Sequence, residues 1–120
     1  MSSFRIKSRQ WIVDDADRII MGEGRKEILE TIERTGSINQ TAKAMKMSYK
    51  GVWGRIKATE AYLEKKIVNA DRKNGSSLTA EGKDLLDRYR RLKACCLQAD
   101  NHCFEEIFGK NDGKKSSVEG

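Results

Sequence analysis

Hydrogen-bond donors and small residues crowd one short stretch of this chain. Within residues 48–57, SYKGVWGRIK, Ser48, Tyr49, Lys50 and Lys57 supply hydroxyl and ammonium groups, and Gly51 and Gly54 leave little bulk between them. Such a set suits a surface laid against a polyanion, because lysine meets guanine acceptors or phosphates and glycine lets the backbone come close. A second group lies just upstream. Ser37, Gln40, Thr41 and Lys43 fall at the start of a preceding segment, where helix N-terminal amides and a lysine favour phosphate.

The elements that must position these residues are two short helices. Ser37 with Gln40 three residues on predicts a reciprocal capping box at the start of the first. Ile38, Ala42 and Met45 then form one apolar stripe, with Ala42 small enough for a second helix to cross closely. Lys46-Met47 reads as the turn, with Met47 buried and Lys46 carrying strain where the chain goes left-handed. Ser48 caps a second helix with the stripe Val52, Ile56, Thr59 and Leu63, which leaves Tyr49, Lys50, Gly54 and Lys57 opposite. Trp53 reads as packing between helices, with a base contact as the alternative. The pattern predicts a helix-turn-helix with its second helix in a DNA major groove.

The flanks extend the pattern. Residues 66–72 are β-prone, residues 73–76 are a turn with an Asn-Gly core, and residues 77–79 predict a returning strand. That is a wing, with Arg72 and Lys73 near its tip to reach phosphate or the minor groove. Thr79 then caps a long final helix. Upstream, residues 4–13 and 18–21 read as strands joined by an Asp-rich turn, and residues 23–34 as a helix closed by Gly36. The predicted class is mainly α with small β elements: a winged helix-turn-helix with an N-terminal hairpin over residues 1–108. Residues 80–108 are its long dimerisation helix, and residues 109–120 read as a disordered tail.

On the final helix, Leu85, Tyr89, Leu92, Cys96, Ala99, Cys103 and Ile107 step by threes and fours, an a/d seam. A small winged helix cannot cover so long a seam, which predicts a homodimer.

Composition narrows the function. A net charge of +6 with 35% charged residues favours a polyanionic partner such as double-stranded DNA. No apolar run approaches the roughly 18 residues of a membrane span, and no signal-peptide core is visible, so no membrane partner and a cytoplasmic location are expected. Three cysteines, an odd number, suit reduced thiols. Asp14, Asp15 and Asp17 could hold calcium, but no glycine or distal glutamate completes such a loop. Cys95, Cys96, Cys103 and His102 invite zinc, but adjacent helical cysteines point about 100° apart and no Cys-x-x-Cys pair exists. No catalytic constellation or phosphate-binding glycine loop appears. The expectation is a transcription regulator without metal or cofactor, not an enzyme. A protein-interaction adaptor and a small cysteine-based metal or redox sensor are the alternatives.

The chain resembles the N-terminal DNA-binding domain of the ModE-type molybdate-dependent transcription regulators, which is close to the LysR-type winged helix. The resemblance rests on Gly22-Glu23-Gly24-Arg25 with Leu29 and Ile32, on Thr35-Gly36-Ser37-Ile38 with Ala42-Lys43, and on Met47-Ser48-Tyr49-Lys50 with Trp53. Leu78-Thr79, Gly82, Leu85-Leu86 and Tyr89 continue it, so that it covers about residues 4–107. It implies a dimer whose second helix reads an inverted-repeat operator. The wing loop is short for that family, and the sequence to Gly120 has no room for a molybdate-binding domain, so no oxyanion ligand is expected in this chain.

Overall fold

The computed structural model describes residues 4–71 and 73–109. Residues 110–120, expected from sequence to be a tail, and Arg72, expected near the wing tip, lie outside them. In chain order the elements are β1 (Ile12–Val13), β2 (Ile19–Met21), α1 (Glu23–Thr35), α2 (Ile38–Met45), α3 (Tyr49–Leu63), β3 (Val68–Asp71), β4 (Gly75–Leu78) and α4 (Ala80–Phe108). Among the described residues the chain divides into two compact units, one within residues 10–90 and the other made of residues 4–9 with 91–109.

In the first unit the apolar stripes converge as their periodicity requires. Met21, Ile28, Leu29, Ile32, Ile38, Ala42, Val52, Ile56, Ile67, Val68, Leu78, Leu86 and Tyr89 form one buried core. Met47, predicted to be buried in the turn, is half-buried and packs on that core. The N-terminal hairpin is shorter than predicted. Residues 4–11 form no strand, because β2 offers only three residues to pair, in the register Ile12 with Met21 and Val13 with Ile19 across an irregularity. The Asp14 carboxylate closes its turn by accepting the N–H groups of Ala16 at 2.8 Å and Arg18 at 2.9 Å.

The wing is regular, pairing Val68 with Leu78, Asn69 with Ser77, Ala70 with Ser76 and Asp71 with Gly75. Its return strand starts at Gly75 rather than Ser77, because Gly75 at φ 82° takes the left-handed position that ends the turn. Thr79 is outside the strand and caps α4, with the Gly82 N–H donating to its hydroxyl at 3.0 Å. Ser76 N–H donates to the Gly36 carbonyl at 2.8 Å, which ties the wing to the end of α1.

α4 runs without a break for 29 residues. Tyr89, predicted for the dimer seam, is only 1% exposed. Its hydroxyl donates to the Gln10 carbonyl at 2.6 Å, so this chain's own core takes the side chain. Leu85 is half-buried and packs on the same core. In the second unit, Ser8 Oγ donates to Asp100 Oδ2 at 2.5 Å and the Phe104 and Phe108 rings stack with centroids 5.1 Å apart.

Candidate nucleic-acid interface

Both helices of the helix-turn-helix begin with a serine cap. Ser37 Oγ accepts the Gln40 N–H at 3.1 Å, and Ser48 Oγ accepts the Gly51 N–H at 2.9 Å. The reciprocal arm predicted for Gln40 is taken by another residue: the Ser37 N–H donates to Thr35 Oγ1 at 3.2 Å, which leaves the Gln40 side chain exposed. Lys46 ends α2 in the left-handed conformation, φ 56°, as its place in the turn predicted.

α3 then sorts its side chains by angle. Val52, Ile56, Thr59 and Glu60 turn inward, while Lys50, Gly54, Lys57, Ala58 and Ala61 share the exposed side. A Cβ built at Gly54 would meet nothing within 4 Å. The fold itself therefore gains nothing from this glycine, which costs a helix about 0.5–1 kcal/mol relative to alanine. A side with two lysines and three small residues is shaped for close approach to a charged surface. Gly51 is different, because Ser48 Oγ and Met47 Cε stand 3.1 and 3.4 Å from where its Cβ would be.

The first helix contributes less than the sequence suggested. Asn39, Gln40 and Lys43 are exposed, but Thr41 is fully buried and its hydroxyl donates to the Ser37 carbonyl at 2.8 Å. Three residues after Ile38, it shares that residue's inward face and cannot approach phosphate. Ser37 is half-buried and spends its hydroxyl on the cap.

At the wing, Lys73 is exposed, and the Asp71 carboxylate accepts its N–H at 2.8 Å and the Asn74 Nδ2 at 2.8 Å. The Lys73 backbone bond first, and then the Asn74 side chain, hold the Asp71 pKa below its ordinary value of 3.8. A cleft of about 430 Å³ runs between the start of α2, the first turns of α3 and the wing, lined by Ser37, Asn39, Tyr49, Trp53, Asp71 and Ser76 among others.

Sequence reasoning missed the polar residues that fix α3. Arg25 Nε donates to Thr59 Oγ1 at 3.0 Å, and Thr59 Oγ1 donates to the Ile20 carbonyl at 2.7 Å. Burial, and secondarily the charge of Arg55, lower the Arg25 pKa, although a guanidinium remains cationic at neutral pH. Glu60 Oε2 accepts the N–H groups of Ile67 at 2.8 Å and Val68 at 3.3 Å. The one sequence signal for this clamp was a glutamate on the apolar side of a helix. Elsewhere, Cys95 and Cys103 are exposed thiols, Cys96 is half-buried, and His102 Nε2 lies 3.3 Å from Glu106 Oε2. Among the described residues, no three of His, Cys, Asp and Glu are grouped so as to hold a metal ion.

A capped helix pair, a basic helix face lined with small residues and a wing make up a winged helix-turn-helix. Residues 25–83 match the family described as bacterial regulatory helix-turn-helix protein, lysR family. The molybdenum transport protein ModE of Azotobacter vinelandii is 30% identical over 97 residues, 78% of this chain and 36% of that protein. The transcriptional regulator ModE of Haemophilus influenzae is 36% identical over 73 residues, 58% of this chain and 29% of that protein. This chain thus spans about a third of the length of these relatives. The fold matches the DNA-binding domain of CbnR in its DNA complex with a TM-score of 0.58 at 20% identity, covering 72% of this chain and 99% of that one. Among the described residues, no helix is long and apolar enough to cross a membrane.

Proposed function

We propose that the chain binds double-stranded DNA as a homodimer on an inverted-repeat operator and so regulates transcription. The observation that carries this reading is the exposed side of α3, where Lys50, Gly54 and Lys57 follow a capped N-terminus. Tyr49 stands at the first turn, and Lys43 and Lys73 add charge from α2 and the wing. Four lysines of this set per protomer release counterions on binding, so log affinity should fall with log salt with a slope of about −3 or steeper. The dimer is supported by the part of α4 beyond Tyr89, where Leu92, Ala99, Cys103 and Ile107 are exposed and Cys96 is half-buried. A two-fold pair would present its recognition helices about 34 Å apart, one turn of DNA. Fluorescence anisotropy with a labelled random-sequence duplex, titrated at 50 to 200 mM salt, tests the first part. A flat salt dependence would leave only an adaptor with a solvated basic face.

A further inference from the structure

Trp53 packs on the core, as its place in the sequence predicts, but its indole N–H does something that packing alone does not need. Nε1–H donates to Tyr49 Oη at 3.0 Å, one helical turn back. The indole is itself held: Lys57 Nζ stands 4.9 Å from the centre of its ring, and Glu60 Oε1 lies 3.4 Å from that Nζ. Glu60 in turn is fastened by its other oxygen to the Ile67 and Val68 amides. Side chains therefore run in series along α3 from the body of the fold to a phenol that is 45% exposed and lines the cleft.

A tyrosine hydroxyl both donates and accepts. Once its oxygen takes the indole proton, its acceptor side is filled and its own proton points the other way. A cation over the indole face strengthens the N–H as a donor, and a chain of such bonds polarises each member. We propose that Trp53 is a positioning residue for DNA recognition, holding the Tyr49 hydroxyl so that it meets the duplex as a hydrogen-bond donor. This inference rests on the DNA-binding reading above. Tyr49 then selects acceptors, namely guanine O6, a purine N7, thymine O4 or a phosphate oxygen, and disfavours the amino donors of adenine and cytosine.

The test begins by enriching a duplex from a randomised 20-base-pair pool with the unmodified protein. Y49F, W53F and the double variant are then titrated against the enriched duplex. Y49F should weaken binding roughly 5- to 10-fold, the worth of one hydrogen bond. W53F, which keeps an aromatic ring but has no N–H, should lose a similar factor, and the double variant should bind no worse than Y49F. Additive losses, or W53F binding like the unmodified protein, would overturn the proposal. Duplexes carrying 7-deazapurines or single methylphosphonates narrow the acceptor: the modification that abolishes the Y49F penalty marks a purine N7 or a phosphate, and a penalty that survives both marks guanine O6 or thymine O4. A second readout works without DNA: in the free protein, Y49F should move the Trp53 indole ¹H–¹⁵N resonance upfield with no change in the melting temperature. An unmoved resonance means that the bond is absent in solution and the proposal fails. If the pool yields no enriched duplex, it is the DNA-binding reading that fails, an outcome distinct from an enriched duplex that ignores Y49F.

Discussion

α3 and the part of α4 beyond Tyr89 are both amphipathic, and they use their surfaces in opposite ways. Every large aliphatic side chain of α3 is buried or half-buried in its own chain, and its exposed side carries lysine, glycine and alanine. Beyond Tyr89, α4 leaves Leu92, Leu97, Ile107 and Phe108 exposed, Ile107 to 76%. The first surface is finished with respect to this chain and fits a polyanion. The second is unfinished, because apolar area in water is a cost that only another apolar surface removes. One helix therefore suits recognition and the other assembly, and substitutions on the two should separate those properties.

The largest effect is expected at Leu92. Leu92→Asp places a charge at the start of the exposed apolar row without touching α3, and sedimentation should show a monomer. Operator affinity should fall by about 100-fold or more, since two linked half-sites lose their effective concentration, whereas binding to random duplex should change far less. If the unmodified protein already sediments as a monomer at operator-saturating concentration, the contrast between the two helices collapses.

Lys50→Ala works on the other side of the comparison. It should weaken operator binding by roughly 1–3 kcal/mol and leave both the sedimentation coefficient and the melting temperature unchanged. An unaltered gel-shift titration would remove Lys50 from the interface.

Much of this division is legible in the sequence. The serine caps at 37 and 48, the glycine closing α1 and the threonine starting α4 are local devices, and each acts where its residue type predicted. What stayed hidden depends on partners distant in sequence. Tyr89 fits the a/d spacing as well as Leu92 does, but its ring packs in the core and its hydroxyl bonds the Gln10 carbonyl, 79 residues away, which removes it from the seam. Thr41 lies in a basic, polar segment, yet it shares the inward face of α2 with Ile38 and is buried. Residues 4–11 have β-prone side chains and no strand to pair with. The Tyr49–Trp53 bond was available from i, i+4 spacing, but a tryptophan beside an apolar stripe suggests packing first.

Gly54→Ala sharpens the reading of α3 by separating what the fold needs from what DNA needs. With open space around the new methyl group, the variant should be more stable by about 0.5–1 kcal/mol in urea unfolding. Operator affinity should nevertheless fall a few-fold. A variant that gains stability and binds as well as before would show that no duplex backbone passes close to Gly54.

The smallest effect concerns how each helix is rooted. α3 is fastened through Glu60 to two backbone amides, whereas α4 is fastened near its start by Arg90, whose guanidinium lies 2.7 Å from Glu30 Oε2 on α1. Burial works to raise the Glu30 pKa, but hydrogen bonds and charge from Arg90 and Lys26 outweigh it, and the net shift is below the ordinary value of 4.5. A carboxylate with a lowered folded-state pKa stabilises the fold fully above its unfolded value. That contribution is lost as the pH falls through the lower folded value. Because Glu30 and Arg90 are both partly open to solvent, screening keeps the contribution below about 1 kcal/mol. Glu30→Gln should therefore be slightly less stable than the unmodified protein in urea at pH 7, and the gap should close as the pH is taken down through the acid range. A gap of the same size at pH 7 and at the acid limit would mean that side-chain packing, and not the ion pair, roots α4, and the electrostatic half of the contrast with α3 would be withdrawn.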